Sequence, residues 1–121
     1  MRRVLLVEDQ ADIREVIAAF LEDLGFAVEA VEDGEQALER MRARAPDCVL
    51  LDLMLPRLTG QEVLRAMRGD PALARVPVIS MSAVYPLELS PELTTTTFLR
   101  KPFALERLQE VLERVLDEGE P

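Results

Sequence analysis

Apolar residues in this chain alternate between short continuous runs and runs spaced for one face of a helix. Val4–Val7 is continuous and predicts a strand buried on both faces. Ile13, Val16, Ile17, Phe20, Leu21 and Leu24 then recur at helical spacing, and Gly25 is placed to end that helix. Phe26–Val31 predicts a second, weaker strand. Asp33 and Gln36 form a capping-box pattern before a helix whose buried stripe is Ala37, Leu38 and Met41, and Pro46 stops it. Cys48–Leu51 predicts the third strand. Thr59 and Glu62 repeat the capping box before Val63, Leu64 and Met67, and Gly69-Asp70-Pro71 makes a break. Val76–Met81 predicts a fourth strand and Phe98–Arg100 a short fifth. Leu105, Leu108, Val111, Leu112, Val115 and Leu116 mark a final helix, and the polar tail Asp117–Pro121 is expected to fray.

This alternation predicts an α/β fold, a doubly wound, five-stranded parallel sheet covered on both faces. Right-handed crossovers then place every strand C-terminus on one edge, where open α/β sheets bind ligands. Residues 84–93 resist the pattern. They should hold a fourth crossover helix but contain Pro86 and Pro91, and Thr94 to Thr97 follow. A single turn after Ser90-Pro91 is expected, with the threonines extended into the fifth strand. No linker or repeat divides the chain, so residues 1–121 read as one domain.

Composition narrows the function classes. The net charge is −9, from 14 Lys+Arg against 23 Asp+Glu, which argues against direct contact with nucleic acid. It suits solubility, a cation or a basic partner. The absence of histidine excludes histidine-based acid–base chemistry and metal ligation. Cys48 is the one cysteine and reads as a small core residue, so no disulfide framework is available. The apolar run after Met1-Arg2-Arg3 is too short for a signal peptide, and no segment is long enough to span a bilayer. A cytoplasmic protein without membrane association is the expectation.

Chemistry-bearing residues stand at successive strand exits. Glu8-Asp9 follow the first strand, Asp52 the third, Ser82 the fourth and Lys101 the fifth. A carboxylate at the exit of a core strand is costly unless something uses it. Three carboxylates together raise one another's pKa, and a hard divalent cation, Mg²⁺ or Mn²⁺ rather than zinc, reverses that. Asp52 can act as a nucleophile toward a phosphoryl group, with Lys101 as a point charge and Ser82 as a hydroxyl donor for its oxygens. Singly, each has a plainer reading: Glu8 and Asp9 as helix caps, Lys101 as a surface lysine, Ser82 as a strand-end hydroxyl. Their convergence on one edge favours the site.

Four motifs in order resemble the receiver domain of two-component response regulators, over essentially the whole chain. They are Val4-Leu5-Leu6-Val7-Glu8-Asp9, Asp52-Leu53-Met54-Leu55-Pro56-Arg57-Leu58-Thr59-Gly60, Ser82-Ala83 and Lys101-Pro102-Phe103. The resemblance implies a flavodoxin-like strand order 2-1-3-4-5, here with a shortened or degenerate fourth helix. It implies that Asp52 accepts phosphate from a histidine kinase, a phosphotransfer protein or a small phosphodonor. Asp9 and Asp52 would ligate Mg²⁺, Glu8 directly or through water, with the Met54 backbone carbonyl as a further ligand. Lys101 and Ser82 would hold the phosphoryl oxygens. Phe98 stands at the family's aromatic switch position, where the ring turns inward as the hydroxyl residue, here Ser82, moves; its plainer reading is a permanently buried strand residue. The Lys101–Pro102 peptide would be cis. Such a domain is a signalling switch that assists its own phosphorylation and dephosphorylation, rather than an enzyme on outside substrates.

The chain departs from the pattern between Ser82 and Lys101. That stretch is a few residues shorter than in the usual receiver, and Thr94–Thr97 replace a glycine-alanine turn and acidic residues. The dimer of winged-helix regulators, which uses charges there, is therefore not expected. Output would go to a downstream protein target or to an effector domain absent from this chain. A haloacid dehalogenase-type phosphatase needs a second Asp where Met54 stands, and an FMN carrier needs a phosphate loop where Glu8-Asp9 stand. The remaining alternative is a pseudo-receiver, an interaction module that works without phosphorylation.

Overall fold

The computed structural model describes residues 1–84 and 91–118. In chain order the elements are β1 (Arg3–Val7), α1 (Ala11–Asp23), β2 (Ala27–Val31), α2 (Gly34–Ala43), β3 (Cys48–Asp52), α3 (Gly60–Arg68), β4 (Val78–Ser82), β5 (Thr97–Arg100) and α4 (Leu105–Glu118). All strand pairs are parallel, in the order β2-β1-β3-β4-β5. Between β4 and β5 the described residues hold one 3-10 turn, Leu93–Thr95. Residues 85–90, where the sequence argues against a full helix, lie outside the described residues.

Side chains alternate across a strand, so the continuous apolar runs feed two cores. Leu5, Val7, Val49 and Leu51 pack on one face with Leu38 and Met41 of α2 and Val63, Leu64 and Met67 of α3. Val4, Leu6, Cys48, Leu50, Ile79 and Met81 pack on the other with Ile17 and Leu21 of α1 and Leu108 and Leu112 of α4. Each fully buried aliphatic side chain contributes about 1.5–3 kcal/mol. The helix starts obey the caps. Asp33 accepts the Gln36 amide at 2.8 Å, and Thr59 and Glu62 close a reciprocal box. Gly25 ends the turn after α1 at φ 97°, a left-handed conformation that suits glycine.

Four expectations need correction. Only Ile17 and Leu21 of the α1 stripe are fully buried, while Val16 is 57% exposed, because it lines an open groove with Ala83, Pro102 and Phe103. β4 begins at Val78 rather than Val76, because the Val76 amide closes a turn onto the Leu73 carbonyl and Pro77 has no amide to pair. Thr94 and Thr95 are not extended. Their hydroxyls donate back to the carbonyls of Pro91 and Glu92 at 2.6 Å each, and buried Leu93 anchors the turn, so only Thr97 enters β5. The final helix includes Asp117 and Glu118 of the tail expected to fray, and residues 119–121 lie outside the described residues.

Candidate functional site

β1 and β3 are neighbours, with Val7 opposite Leu51, so both strands release an acid at the same edge. Glu8 is 0% exposed and Asp52 4%, whereas Asp9 faces solvent. One carboxylate oxygen from each of the three lies within 4.8 Å of the others. β5 brings Lys101 to this edge, because the Lys101 amide donates to the Ser82 carbonyl at 2.9 Å and continues the β4–β5 ladder. The Lys101–Pro102 peptide is cis. From there Lys101 Nζ donates to Glu8 Oε1 and, at 3.1 Å, to Asp52 Oδ2. The remaining oxygens are also used: Asp52 Oδ1 accepts the Met54 amide at 2.9 Å and Glu8 Oε2 the Gln10 amide at 3.3 Å.

Burial and the proximity of Asp52 push the Glu8 carboxyl above its ordinary range, against the pull of Lys101. Burial by itself would lower the Lys101 ammonium, but Glu8 and Asp52 together outweigh it and hold it above its ordinary value. Three carboxylates thus face one ammonium. All the donors are hard oxygens, and the cluster fits a divalent cation of the Mg²⁺ type better than zinc.

Ser82 is buried at the end of β4, one residue beyond the Met81 that pairs with Asp52, and its Oγ accepts the Val84 amide at 3.2 Å. Met54 opens the β3–α3 loop and is 66% exposed. Phe98 pairs with Ser80 in the β4–β5 register and leans, half-buried, on the core between the sheet and α2–α3. The plain reading of Glu8 and Asp9 as helix caps is not what the fold uses: Gln10 is the N-cap of α1 and makes no side-chain cap bond. Sequence reasoning missed Arg14. Its guanidinium donates to the Glu8 carbonyl at 2.8 Å and the Asp9 carbonyl at 3.4 Å, pinning the acidic turn from the first turns of α1. Its place one helical turn beyond the N-cap was the available signal.

The family model for the response regulator receiver domain matches residues 4–113, and the chain belongs to that family of two-component signalling modules. It is 35% identical over 102 residues to the DNA-binding response regulator MtrA of Mycobacterium tuberculosis, covering 84% of this chain and 45% of MtrA. The chain spans about half the length of the curated relatives it matches. Among solved structures, the chemotaxis response regulator CheY4 of Vibrio cholerae superposes with a TM-score of 0.86 at 31% identity, covering 95% of this chain and 98% of CheY4. The receiver domain of the sensor histidine kinase PA1611 from Pseudomonas aeruginosa superposes at 0.83 with 34% identity, covering 96% of this chain and 98% of that domain. That domain carries a magnesium ion coordinated in its active site cleft.

Proposed function

We propose that this chain is a phosphorylatable switch in which Asp52 accepts a phosphoryl group from a histidine kinase, a phosphotransfer protein or a small phosphodonor. The observation that carries the reading is the position of Asp52: a buried carboxylate at a strand exit, 3.1 Å from Lys101 Nζ and clustered with Glu8 and Asp9. An Asp52 oxygen attacks the donor phosphorus. A P–O bond forms, the bond from phosphorus to the donor nitrogen or oxygen breaks, and its electron pair leaves with the donor. Lys101 follows the charge onto the phosphoryl oxygens, and Ser82 donates its hydroxyl to them. Glu8, Asp9, Asp52 and the Met54 carbonyl would hold Mg²⁺, which when bound neutralises charge on the acids and on the transferring group. The product replaces the single charge of the carboxylate with a phosphoryl group carrying about −1.5 to −2, a net gain of up to about one negative charge and three acceptor oxygens at the edge, which a neighbouring face can report to a downstream protein or an effector domain.

Intact-mass spectrometry with Mg²⁺ and acetyl phosphate tests this. One adduct of about 80 Da, a single phosphoryl group, is expected, and it is absent from Asp52→Asn. No adduct on the wild type, or an adduct that survives the substitution, refutes the reading.

One observation favours the pseudo-receiver alternative. The 3-10 turn before β5 is tied to α3 by Arg68–Thr95 at 2.9 Å and Arg65–Glu92 at 3.7 Å, contacts that involve none of the residues of the acidic cluster. Partner affinity that is equal with and without beryllofluoride would select it.

A further inference from the structure

We propose that Asp33 and Arg57 are positioning residues for the acidic cluster, bracing the β3–α3 loop that carries Met54 against the exit of β2. This rests on the metal-assisted reading above. Arg57 stands at φ 63°, a left-handed conformation that a side chain with a Cβ rarely adopts. Its Nη2 reaches Asp33 Oδ2 at 2.9 Å. The Arg57 side chain is 69% exposed, which by itself describes a surface ion pair of little consequence. Asp33 is different. It is 6% exposed, and its other oxygen is committed to the Gln36 amide at 2.8 Å as the N-cap of α2. An acid that buried is held where it is, so the pair fixes Arg57 rather than the reverse.

Three further contacts make the pair part of a frame. A Cβ on Gly34 would stand 3.1 Å from the Leu58 carbonyl oxygen and 2.5 Å from Val63 Cγ2, so the turn after Asp33 lies directly on the loop. The Gly60 amide donates to the Leu53 carbonyl at 3.2 Å and closes the base of the loop. On the other side, the Glu8 amide donates to the Val31 carbonyl at 3.1 Å, two residues before Asp33. The exit of β2 therefore supports both halves of the cluster: the acidic turn through Val31, and the loop that follows Met54 through Asp33 and its partner Arg57. The spacing between Glu8-Asp9 and Met54 is set by that shared support. Groups that orient metal ligands without touching the metal often govern its affinity.

The test separates positioning from stability. In the double variant Asp33→Asn with Arg57→Gly, asparagine caps as aspartate does and glycine accepts the left-handed conformation. Thermal stability is expected to match or exceed the wild type. The Mg²⁺ dissociation constant, read by calorimetric titration, is expected to rise about tenfold. Amide deuterium exchange across residues 54–59 is expected to quicken in metal-free protein. Asp33→Asn alone adds no backbone freedom and is expected to shift both readouts in the same direction. A dissociation constant within about twofold of wild type in the double variant, with loop exchange unchanged, overturns the brace. Wild-type protein that neither binds Mg²⁺ nor takes up phosphate overturns the reading of the site instead, and the exchange measurement still decides the brace.

Discussion

Lys101 Nζ sits 3.1 Å from Asp52 Oδ2 while it also donates to Glu8, so one cation serves two buried acids at once. Asp9 adds a third carboxylate within 4.8 Å. Without a metal the cluster is electrostatically frustrated, and burial with the proximity of Asp52 already pushes Glu8 upward. The fold holds these charges together against their repulsion, which is how a binding site differs from a relaxed surface.

Removing one of them should therefore stabilise the metal-free protein. Asp52→Asn is expected to raise stability in EDTA by about 1 kcal/mol, or roughly 4 °C in thermal midpoint. Lys101 keeps Glu8 as its partner in that variant. Saturating Mg²⁺ is expected to narrow the gap, because the wild type gains more from the ion. A lower midpoint for Asp52→Asn in EDTA would show that the Lys101 pair outweighs the repulsion.

Gly60 packs directly on the backbone of the acceptor segment. A Cβ there would fall 2.5 Å from the Asp52 carbonyl oxygen and 2.6 Å from Leu53 Cα, and neither backbone atom can yield cheaply. Alanine is the better helix former at the start of α3, so propensity favours the substitution and packing opposes it. Gly60→Ala is expected to cost about 2 kcal/mol in urea unfolding. Because Asp52 must shift, its phosphorylation by acetyl phosphate is also expected to slow at least about tenfold.

The strands and the acid edge were legible in the sequence because both rest on strong local rules. Val4–Val7 and Cys48–Leu51 are short continuous apolar runs that read as strands buried on two faces, and parallel connection then sends Glu8 and Asp52 to one edge. Thr94 and Thr95 misled because β-branched propensity points to extended chain. Their hydroxyls instead found carbonyls three residues back, and Leu93 found the core. Val16 misled because helical spacing marks an apolar face and not which of its residues the neighbouring loops leave uncovered. The Asp33–Arg57 pair was invisible for another reason. Its partners are 24 residues apart, and Asp33 already had a sufficient local explanation as a cap.

Cys48 offers a pH test. Burial pushes its thiol up to about 12 from an unfolded value of 9.0. The folded state therefore keeps a proton that the unfolded chain releases. The associated stability is fully present below pH 9 and is lost as pH rises toward 12, at about 1.4 kcal/mol per pH unit. Other groups titrate in the same window, so the difference between wild type and Cys48→Ala isolates the thiol. Wild-type unfolding free energy is expected to fall more steeply than that of the variant. Iodoacetamide at pH 8 is expected to leave the native thiol unmodified and to label it in urea, by intact mass.

Arg68 supports the altered face between β4 and β5. Its Nε donates to Thr95 Oγ1 at 2.9 Å, and its Nη1 donates to the carbonyls of Ala74 at 3.1 Å and Val76 at 2.9 Å. One guanidinium thus joins the end of α3, the approach to β4 and the 3-10 turn before β5. Burial pushes its pKa down, and all three acceptors are neutral, so the charge is sustained by carbonyl and hydroxyl dipoles. Arg68→Met keeps the apolar stem and strands those acceptors, with an expected loss of about 2 kcal/mol in urea unfolding. Arg68→Lys is expected to recover less than half of it, because a single ammonium cannot span a planar fork. Arg65, exposed itself and 3.7 Å from a half-buried Glu92, provides the contrast: Arg65→Met is expected to change stability by less than about 0.5 kcal/mol. Faster amide exchange over residues 93–97 in Arg68→Met, with Arg65→Met unchanged, would place the hold on this turn in Arg68. Equal effects from the two substitutions would assign it to charge on the α3 surface instead.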